Sequence, residues 1–528
     1  MNDIESLIVL VAVAALLVRL ADLVAVPYPI VLVIGGLTIG FLPGGPSLEL
    51  APEVVFLVFL PPLLQSAGYY ASPRELRAEL GPLTGLVLGL SLTTMFAVGA
   101  IAQALIPDLG WGEALVLGAI VAPTDPVAAI ATFGRLRISD RVLLLVEGEA
   151  MLNDAAALVA YRVALAAVVT GTFSAGEAAL DLVVSIAGGV GIGFVVAWLA
   201  FHAIRRVDDA PLSILVSVLM GYVAFAICEE VEASGVLAVV TCGLYIGSRQ
   251  HQLFDADLRL NARAFWQVLV FTLNAVIFIL LGLQFPEILE RVSEELPAAE
   301  MIGYGLLIAS SVIAVRIGWE FLFGILARLL PAAGRVSAGQ DWRERLLIGW
   351  SGMRGAVSLA AALALPFELD SGAPLEDRDL IIYLAVAVIL VTLVGQGLTL
   401  PLLVNRLRLG AQEPWSPDEA VARLAAAQAA LDQIEELETR GDRIPDTALE
   451  RLRELYQARF ARCVASLSGE GAPVPIENPL EGYRSARQEL IAVERSTLIS
   501  LRNEGRVKAD VFRRIQRDLD LDEARLRS

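Results

Sequence analysis

Thirteen long apolar runs occupy most of the first 409 residues and limit the folds that this chain can adopt. Spanning a bilayer as a helix takes roughly 20 apolar residues at about 1.5 Å per residue. Hydrophobic residues make up 56% of the 528 residues, and the mean hydropathy is +0.67. We therefore predict an all-α, polytopic membrane protein of about 13 transmembrane helices. The runs lie near residues 6–24, 26–42, 52–68, 82–106, 112–133, 141–170, 177–203, 211–228, 233–247, 264–283, 300–327, 344–366 and 380–405.

The arginines between the runs predict the topology of these helices. If the N-terminus is external, fifteen arginines fall in the cytoplasmic turns, and only Arg291 and Arg378 fall in the external turns. Cytoplasmic loops of membrane proteins carry an excess of Lys and Arg. The first run has no basic region before it and no small-residue cleavage site, so it is interpreted as a retained helix. We expect an external N-terminus and a cytoplasmic C-terminus.

The residues after the last run have a different character. Residues 410–528 are rich in Arg and Glu, and 418–468 show helical periodicity, with a break predicted at 468–479 and a second helical stretch after it. The segment 411–528 holds 18 basic and 22 acidic residues, so it is not a basic arm for nucleic acid. We predict a transmembrane domain over 1–409 and a soluble helical tail over 410–528, whose role stays open.

The run RVLLLVEGEAMLNDAAALVAYRVAL (141–165) contains ionisable side chains. A charged group in the middle of a bilayer costs from a few to more than 10 kcal/mol, so it marks a functional site by default. Glu149 and Asn153 share a helix face, whereas Asp154 lies roughly 140° from Glu149 around the axis. Asp154 can therefore face a cavity while Glu149 pairs with a basic group elsewhere. The alternative is that the carboxylates lie in a loop between two short helices.

A second run, AIVAPTDPVAAIATF (119–133), is interrupted by Pro123, Thr124, Asp125 and Pro126. Each proline removes a backbone donor and leaves a carbonyl that needs another partner. At membrane depth such a break is tolerated only where protein or a water-filled cavity satisfies the backbone. The segment therefore predicts a discontinuous helix near a polar site, which is a mark of secondary transporters.

The segment GWSGMRGAVSLAAALALP (349–366) predicts a second discontinuous helix, with Gly352, Arg354 and Gly355 inside it. The two discontinuous helices are the fifth and the twelfth in chain order, as expected if two similarly folded, inverted repeats each contribute one. The ends of half-helices need compensating charge. Asp125 and Arg354 have opposite signs that suit this purpose.

Arg316 lies in the middle of another apolar run, ASSVIAVRIGWEFLFGIL (309–326). A single arginine at this depth needs a carboxylate partner. Glu320, four residues later on the same helix, is one candidate, and Glu149 on the acid-rich run is the other. The residues alone leave this choice open.

Four motifs in order resemble the monovalent cation/proton antiporter family, in the branch that contains bacterial and eukaryotic sodium/proton exchangers. They are FLPPLLQSAGYY (59–70), APTDPVA (122–128), EGEAMLND (147–154) and GMRGAV (352–357). The resemblance covers roughly residues 6–408. It implies a core subdomain that moves against a dimerisation subdomain, and hence a homodimer in the cell (inner) membrane.

The resemblance also implies an ion- and proton-binding group made of Asp154, Asn153, Thr124 and Glu149. Asp154 would alternately hold the proton and Na+, and the backbone near Thr124 would give an oxygen to the ion. Asn153 matches the Asn-Asp pair associated with one-for-one, electroneutral exchange. Glu149 would form an ion pair with Arg316.

In the same resemblance, Asp125 and Arg354 match the charges that compensate the half-helix ends. Two positions depart from the family pattern. Ala150 stands where many members have a serine whose hydroxyl can ligate the ion, and Gln65 stands where many have an acid. Both substitutions bear on cation preference and proton sensitivity.

The sequence therefore predicts exchange of Na+, or of Li+ or K+, for H+ by alternating access. A K+/H+ antiporter and a cation channel with the same buried acids are the alternatives. The apolar runs contain no nucleophile–base pair, metal cluster or nucleotide loop, so no enzyme activity and no cofactor are expected. The expected partners are monovalent cations, protons, the lipid bilayer and a second copy of the chain.

Overall fold

The structure is a computed structural model, and it describes most of the chain. Beyond residue 504 it describes scattered positions only. The continuous stretches are 3–24, 26–42, 52–71, 73–107, 109–136, 138–170, 175–207, 209–254, 256–294, 296–329, 341–369, 371–375, 377–410, 417–440, 445–467 and 479–504.

The described residues form helices and no sheet, which confirms the all-α fold class. The helices of the first 329 residues are α1 Asp3–Leu23, α2 Tyr28–Gly40, α3 Pro52–Tyr70, α4 Pro73–Leu105, α5 Trp111–Ile120, α6 Val127–Leu136, α7 Asp140–Thr170, α8 Ala175–Ile204, α9 Ala210–Glu230, α10 Gly235–Gly247, α11 Gln250–Leu253, α12 Ala256–Ser293 and α13 Ala298–Leu329. The later ones are α14 Trp342–Trp350, α15 Ala356–Leu363, α16 Arg378–Leu390, a π-helical turn Val391–Gln396, α17 Gly397–Leu407, α18 Pro417–Arg440, α19 Asp446–Leu467 and α20 Pro479–Asn503.

Each predicted apolar run coincides with a helix or with a pair of shorter helices. Six helical stretches among the described residues are long and apolar enough to cross a membrane, and four shorter apolar helices accompany them. The run with the buried acids is one continuous helix, α7, which excludes the alternative of a loop between two short helices. In contrast, α12 is much longer than the predicted apolar run 264–283. Helical turns that contain polar residues extend it at both ends.

Two of the predicted spans are discontinuous at the expected places. The span 112–133 divides into α5 and α6, with residues 121–126 outside any helix. The span 344–366 divides into α14 and α15, with residues 351–355 between them. The prolines of the first break weaken a helix because they lack a backbone N–H donor. The glycines of the second break weaken it through their conformational freedom.

Small residues bring the helices into close contact. Gly36 of α2 and Gly282 of α12 face each other's helix, and the space that a Cβ would need at either position is filled by backbone atoms of the other helix. Membrane helices lack a hydrophobic driving force between them, so small residues that permit close packing stabilise their contacts. The glycines therefore allow the tight α2–α12 pair that forms part of the cavity wall described below.

The chain divides into two compact units, Met1–Gln412 and Glu413–Ser528. The predicted boundary falls three residues earlier, after residue 409. In the second unit α18 packs against α19, and Ile491, Leu498 and Leu519 form a small buried cluster. The predicted break at 468–479 lies almost entirely outside the described residues.

Candidate ion-binding site

A cavity of about 680 Å³ lies within the first unit, between the two discontinuous helices, α7 and α12. Aromatic side chains from α2 and α12 line one wall, among them Tyr28, Trp266 and Phe271. Asp154 and Thr124 are among the polar residues that line the cavity. A mostly apolar cavity with a few convergent polar groups is the usual form of a small-ligand site.

Asp154 of α7 is 8% exposed, and its exposed surface belongs to the cavity wall. The backbone N–H of Thr124 interacts with its carboxylate, whereas the oxygen Oδ1 is buried without a hydrogen bond from the described residues. No ion pair joins Asp154 to a basic side chain in the described part of the chain. Asp154 is therefore a buried carboxyl group beside a cavity, and none of the described residues supplies a compensating cation.

Asn153, the neighbour of Asp154, connects α7 to the break between α5 and α6. Its Nδ2 donates to the backbone oxygen of Ala122 at 2.9 Å and to Oγ1 of Thr124 at 3.3 Å. Its Oδ1 accepts a hydrogen bond from the hydroxyl of Ser91 on α4. Both ends of the amide are thus occupied, and Asn153 does not line the cavity. Its contacts satisfy backbone that the prolines leave unpaired.

Glu149 forms an ion pair with Arg316, with 2.6 Å between Oε1 and Nη1, and both side chains are almost completely buried. The sequence left Glu149 and Glu320 as candidate partners of Arg316, and the structure pairs Arg316 with Glu149. Glu320 lies nearby, and its backbone oxygen accepts a hydrogen bond from Nη1 of Arg345 at 3.4 Å. Glu149 does not line the cavity, so the pair lies behind the wall and not at the ion path.

Asp125 lies at the N-terminal ends of two half-helices at once. Its Oδ1 accepts from the N–H of Val127 at 2.9 Å, in the first turn of α6. Its Oδ2 accepts from the N–H of Ala356 at 3.2 Å, at the start of α15. The first N–H groups of a helix lack partners within the helix and carry a partial positive charge, which a carboxylate stabilises.

Arg354 has the complementary position at a C-terminal end. Its Nε donates to the backbone oxygen of Val121 at 2.9 Å, immediately after α5, and its Nη1 donates to the oxygen of Gly352. Its own N–H donates to Oγ1 of Thr392 at 3.1 Å. Each discontinuous helix therefore supplies the charge that stabilises a free end of the other. The backbone hydrogen bond from Asp125 N–H to Met353 oxygen, at 2.7 Å, joins the breaks directly.

The predicted site residues thus fall into two layers. Asp154, Thr124 and Asp125 line the cavity, together with Ala150, which contributes no oxygen from its side chain. The layer behind them holds Asn153, Glu149, Arg316 and Arg354. Gln65 belongs to neither layer, because it faces α9, where its Nε2 donates to the backbone oxygen of Ser217.

Two positioning residues were not predicted from the sequence, Ser91 and Thr392. Each is one of several hydroxyls in an apolar run, and such residues more often make ordinary contacts between helices. Only the tertiary contacts with Asn153 and Arg354 distinguish them. Among the described residues there is no cluster of three or more His, Cys, Asp or Glu that could hold a metal.

Comparison with known proteins identifies the family of the chain. Residues 8–406 match the family described as "Sodium/hydrogen exchanger, transmembrane". The Na(+)/H(+) antiporter NhaS2 of Synechocystis is 33% identical over 461 residues, which are 87% of this chain and 81% of that protein. The sodium, potassium, lithium and rubidium/H(+) antiporter of Bacillus pumilus is 34% identical over 394 residues, or 72% of this chain and 58% of that protein.

Among solved structures, the sodium proton antiporter MjNhaP1 of Methanocaldococcus jannaschii has the same fold, with a TM-score of 0.62 and 21% identity over 78% of this chain and all of that one. The site and fold together define a multi-pass membrane transporter with a buried carboxyl in a cavity. The chain belongs to the transmembrane sodium/hydrogen exchanger family, which confirms the predicted family and class of function.

Proposed function

We propose that the protein exchanges Na+ for H+ across the cell membrane, one for one, by alternating access, and that the two ions compete for Asp154. The observation that carries this proposal is the carboxyl of Asp154, which is buried beside the cavity and paired with no basic side chain of the described chain. A bare carboxylate in a poorly solvated site is disfavoured. Asp154 is therefore occupied either by a proton or by a cation.

The ligands available to the cation are hard oxygens, which suit an alkali ion better than a transition metal. The Asp154 carboxylate supplies charge, and the broken backbone near Thr124 supplies a carbonyl oxygen. Glu149 and Asn153 support this site from behind. Arg316 satisfies Glu149, and Asn153 holds the break in place, so that neither group takes the transported ion directly.

The two breaks support movement of the site as one body. Asp125 and Arg354 join the four half-helices through hydrogen bonds that run between the breaks. Alternating access in transporters with discontinuous helices proceeds largely by rigid-body movement of one bundle against another. We infer that these two charges keep the site intact while it moves.

The cavity indicates which side the site faces in this structure. Its lining residues on α3, α7 and α12 lie in the halves of those helices that adjoin the arginine-rich connections. Such connections are cytoplasmic by the positive-inside rule, and we infer from it that the cavity faces the cytoplasm. The same rule supports an external N-terminus and a cytoplasmic tail, and the resemblance of residues 6–408 supports a homodimer.

A broader cation range is the second candidate, and two observations favour it. Ala150 gives the cavity wall no hydroxyl where many relatives have one. In addition, a relative that is 34% identical is named for sodium, potassium, lithium and rubidium. K+ would then be exchanged as well as Na+.

Flux into proteoliposomes tests both candidates. Purified protein is reconstituted with a pH-sensitive dye inside, and Na+, Li+ and K+ are added separately with the membrane potential clamped at zero. We expect cation-driven proton movement that is unchanged when the clamp is set to other voltages. Cation-driven current in a planar bilayer without proton movement would instead identify a channel.

A further inference from the structure

Ser358, in the first turn of α15, has a buried hydroxyl that the mechanism above does not use. The residue lines the same cavity as Asp154, and it is 1% exposed. Within the described part of the chain its Oγ makes no hydrogen bond, not even to the preceding turn of its own helix. A buried polar group without a partner is costly, and each such group in a native protein calls for an explanation.

Asn274 is another uncharged, buried polar side chain at this cavity for which the described residues supply no partner. It lies in the middle of α12, within the apolar stretch FTLNAVIFIL, and it is 2% exposed. It lines the cavity, and none of the described residues forms a hydrogen bond with its amide. Asn274 and Ser358 both line this cavity, and their helices α12 and α15 are in contact.

The chemistry of an alkali cation connects these two residues to Asp154. A hard cation stripped of most of its water needs several oxygen ligands, and carboxylate, carbonyl and hydroxyl oxygens all serve. Asp154 and Thr124 supply only part of such a shell, and Ala150 supplies nothing. Two neutral side-chain oxygens belong to residues that line the same cavity. The hydroxyl of Ser358 is fully buried without a partner, and the amide of Asn274 receives no hydrogen bond from the described residues.

We propose that the hydroxyl of Ser358 and the side-chain oxygen of Asn274 are neutral ligands of the transported cation. They complete the shell begun by Asp154 and Thr124 and take the place of the hydroxyl that position 150 lacks. The proposal deepens the proposed function and rests on it. Ser358 and Asp154 belong to α15 and α7, which are connected to the two helix breaks, whereas Asn274 belongs to α12. Asn274 therefore contacts the ion only when the site lies beside α12.

The test uses the full-length chain in proteoliposomes, with Na+ as the ion, and compares Ser358→Ala and Asn274→Ala with wild type. Loss of one neutral ligand should raise the KM for Na+ about ten- to a hundredfold, as for a lost hydrogen bond to a charged group. Vmax should change less than about twofold. Ser66→Ala is the matched control, because Ser66 lines the same cavity but its hydroxyl is satisfied by the backbone oxygen of Leu63 at 2.8 Å.

Thermal stability separates a ligand from a structural hydroxyl. Removing an unsatisfied buried hydroxyl should leave the melting temperature of Ser358→Ala in Na+-free buffer equal to or above that of wild type. The stabilisation produced by added Na+ should shrink for Ser358→Ala and stay unchanged for Ser66→Ala. A lower melting temperature with an unchanged KM would overturn the assignment of Ser358.

Restoring a hydroxyl at position 150 gives a second, independent measurement. In the double variant Ser358→Ala with Ala150→Ser, we expect the KM for Na+ to fall back to within about threefold of wild type. A KM that stays at the single-variant value would contradict the proposal that the two hydroxyls are equivalent. If wild type exchanges Na+ for H+ but all these variants match it, only this inference fails. If wild type shows no exchange, the proposed function fails first.

Discussion

Two carboxylates on α7 are five residues apart, and both are more than nine-tenths buried, yet their surroundings are opposite. Glu149 meets the guanidinium of Arg316 at 2.6 Å. Asp154 meets a cavity and the backbone N–H of Thr124, with no basic partner in the described chain. The two carboxylates thus differ in pairing and not in burial, and the one without a basic partner among the described residues is the one for which we propose ion exchange.

Helix geometry explains how one helix holds both kinds of carboxylate. Five residues turn a helix by about 500°, so the two side chains project roughly 140° apart. Asp154 therefore reaches the cavity on one side, while Glu149 reaches α13 on the other. Asn153 lies between them in direction, and it anchors the helix to the break at Ala122 and Thr124.

The largest effect is expected when Asp154 loses its charge. Asp154→Asn should lower cation-driven proton flux at least about 100-fold, because an amide neither takes a proton nor neutralises a cation. The protein should remain folded, with a melting temperature no lower than that of wild type, since a buried charge without a partner is removed. Flux in proteoliposomes and thermal unfolding in detergent check both statements. Retained exchange would remove Asp154 from its proposed role.

The next largest effect is expected at the paired carboxylate. Arg316→Ala leaves Glu149 buried without a partner, which should lower the free energy of unfolding by about 3–5 kcal/mol. The double variant with Glu149→Gln should recover much of that loss, because no bare charge remains. Thermal or denaturant unfolding in detergent measures both. If the double variant is as unstable as Arg316→Ala, the ion pair is not the source of the loss.

A smaller effect is expected at the second discontinuous helix. Arg354→Lys keeps a positive charge at the C-terminal end of α5 but loses the planar set of donors to Val121 and Gly352. The expected loss of stability is about 1–2 kcal/mol, below that of Arg316→Ala. Unfolding of both variants in the same detergent gives the ranking. If Arg354→Lys and Arg316→Ala lost equal stability, a broken buried ion pair would cost no more than a retained positive charge with fewer hydrogen bonds, and the proposed contrast would be wrong.

The smallest effect is expected at Glu147, which lies on the cavity-facing side of α7 two turns before Asp154. It is exposed and makes no ion pair with the described residues, so Glu147→Gln should act only through the local cation concentration. The KM for Na+ should rise by about twofold at low ionic strength, and the effect should vanish in high salt. An effect as large as that of Asp154→Asn would mean that α7 carries two exchanging carboxylates.

Most of the fold could be predicted because the bilayer imposes simple requirements on length and hydropathy. The apolar runs marked the helices, and the prolines near Asp125 and the glycines beside Arg354 marked the two breaks. The π-helical turn Val391–Gln396 was not predicted, since it contains no proline and its sequence VTLVGQ is compatible with an ordinary helix. The length of α12 was underestimated because its ends are amphipathic rather than apolar.

The candidate site was predictable in its residues but not in its contacts. Spacing around the axis indicated that Asp154 and Glu149 face different ways, but it did not show which acid Arg316 contacts. That choice depends on the position of α13 beside α7, which no local pattern encodes. The effect of Gln65 on proton sensitivity and cation preference stays a prediction, and its contact with the backbone oxygen of Ser217 on α9 was not foreseen. The roles of these residues in transport stay predictions.

The most direct test of competition at Asp154 is calorimetric titration of Na+ into the purified transporter in detergent, repeated in two buffers of different ionisation enthalpy. The difference between the two heats gives the number of protons released per Na+ bound. At a pH where half of the protein is protonated, we predict release of about half a proton per Na+, rising toward one as the pH is lowered, with no release from Asp154→Asn. Na+ binding with no proton release at any pH, or with release unchanged in Asp154→Asn, would contradict the proposal that one carboxyl holds either ion but not both.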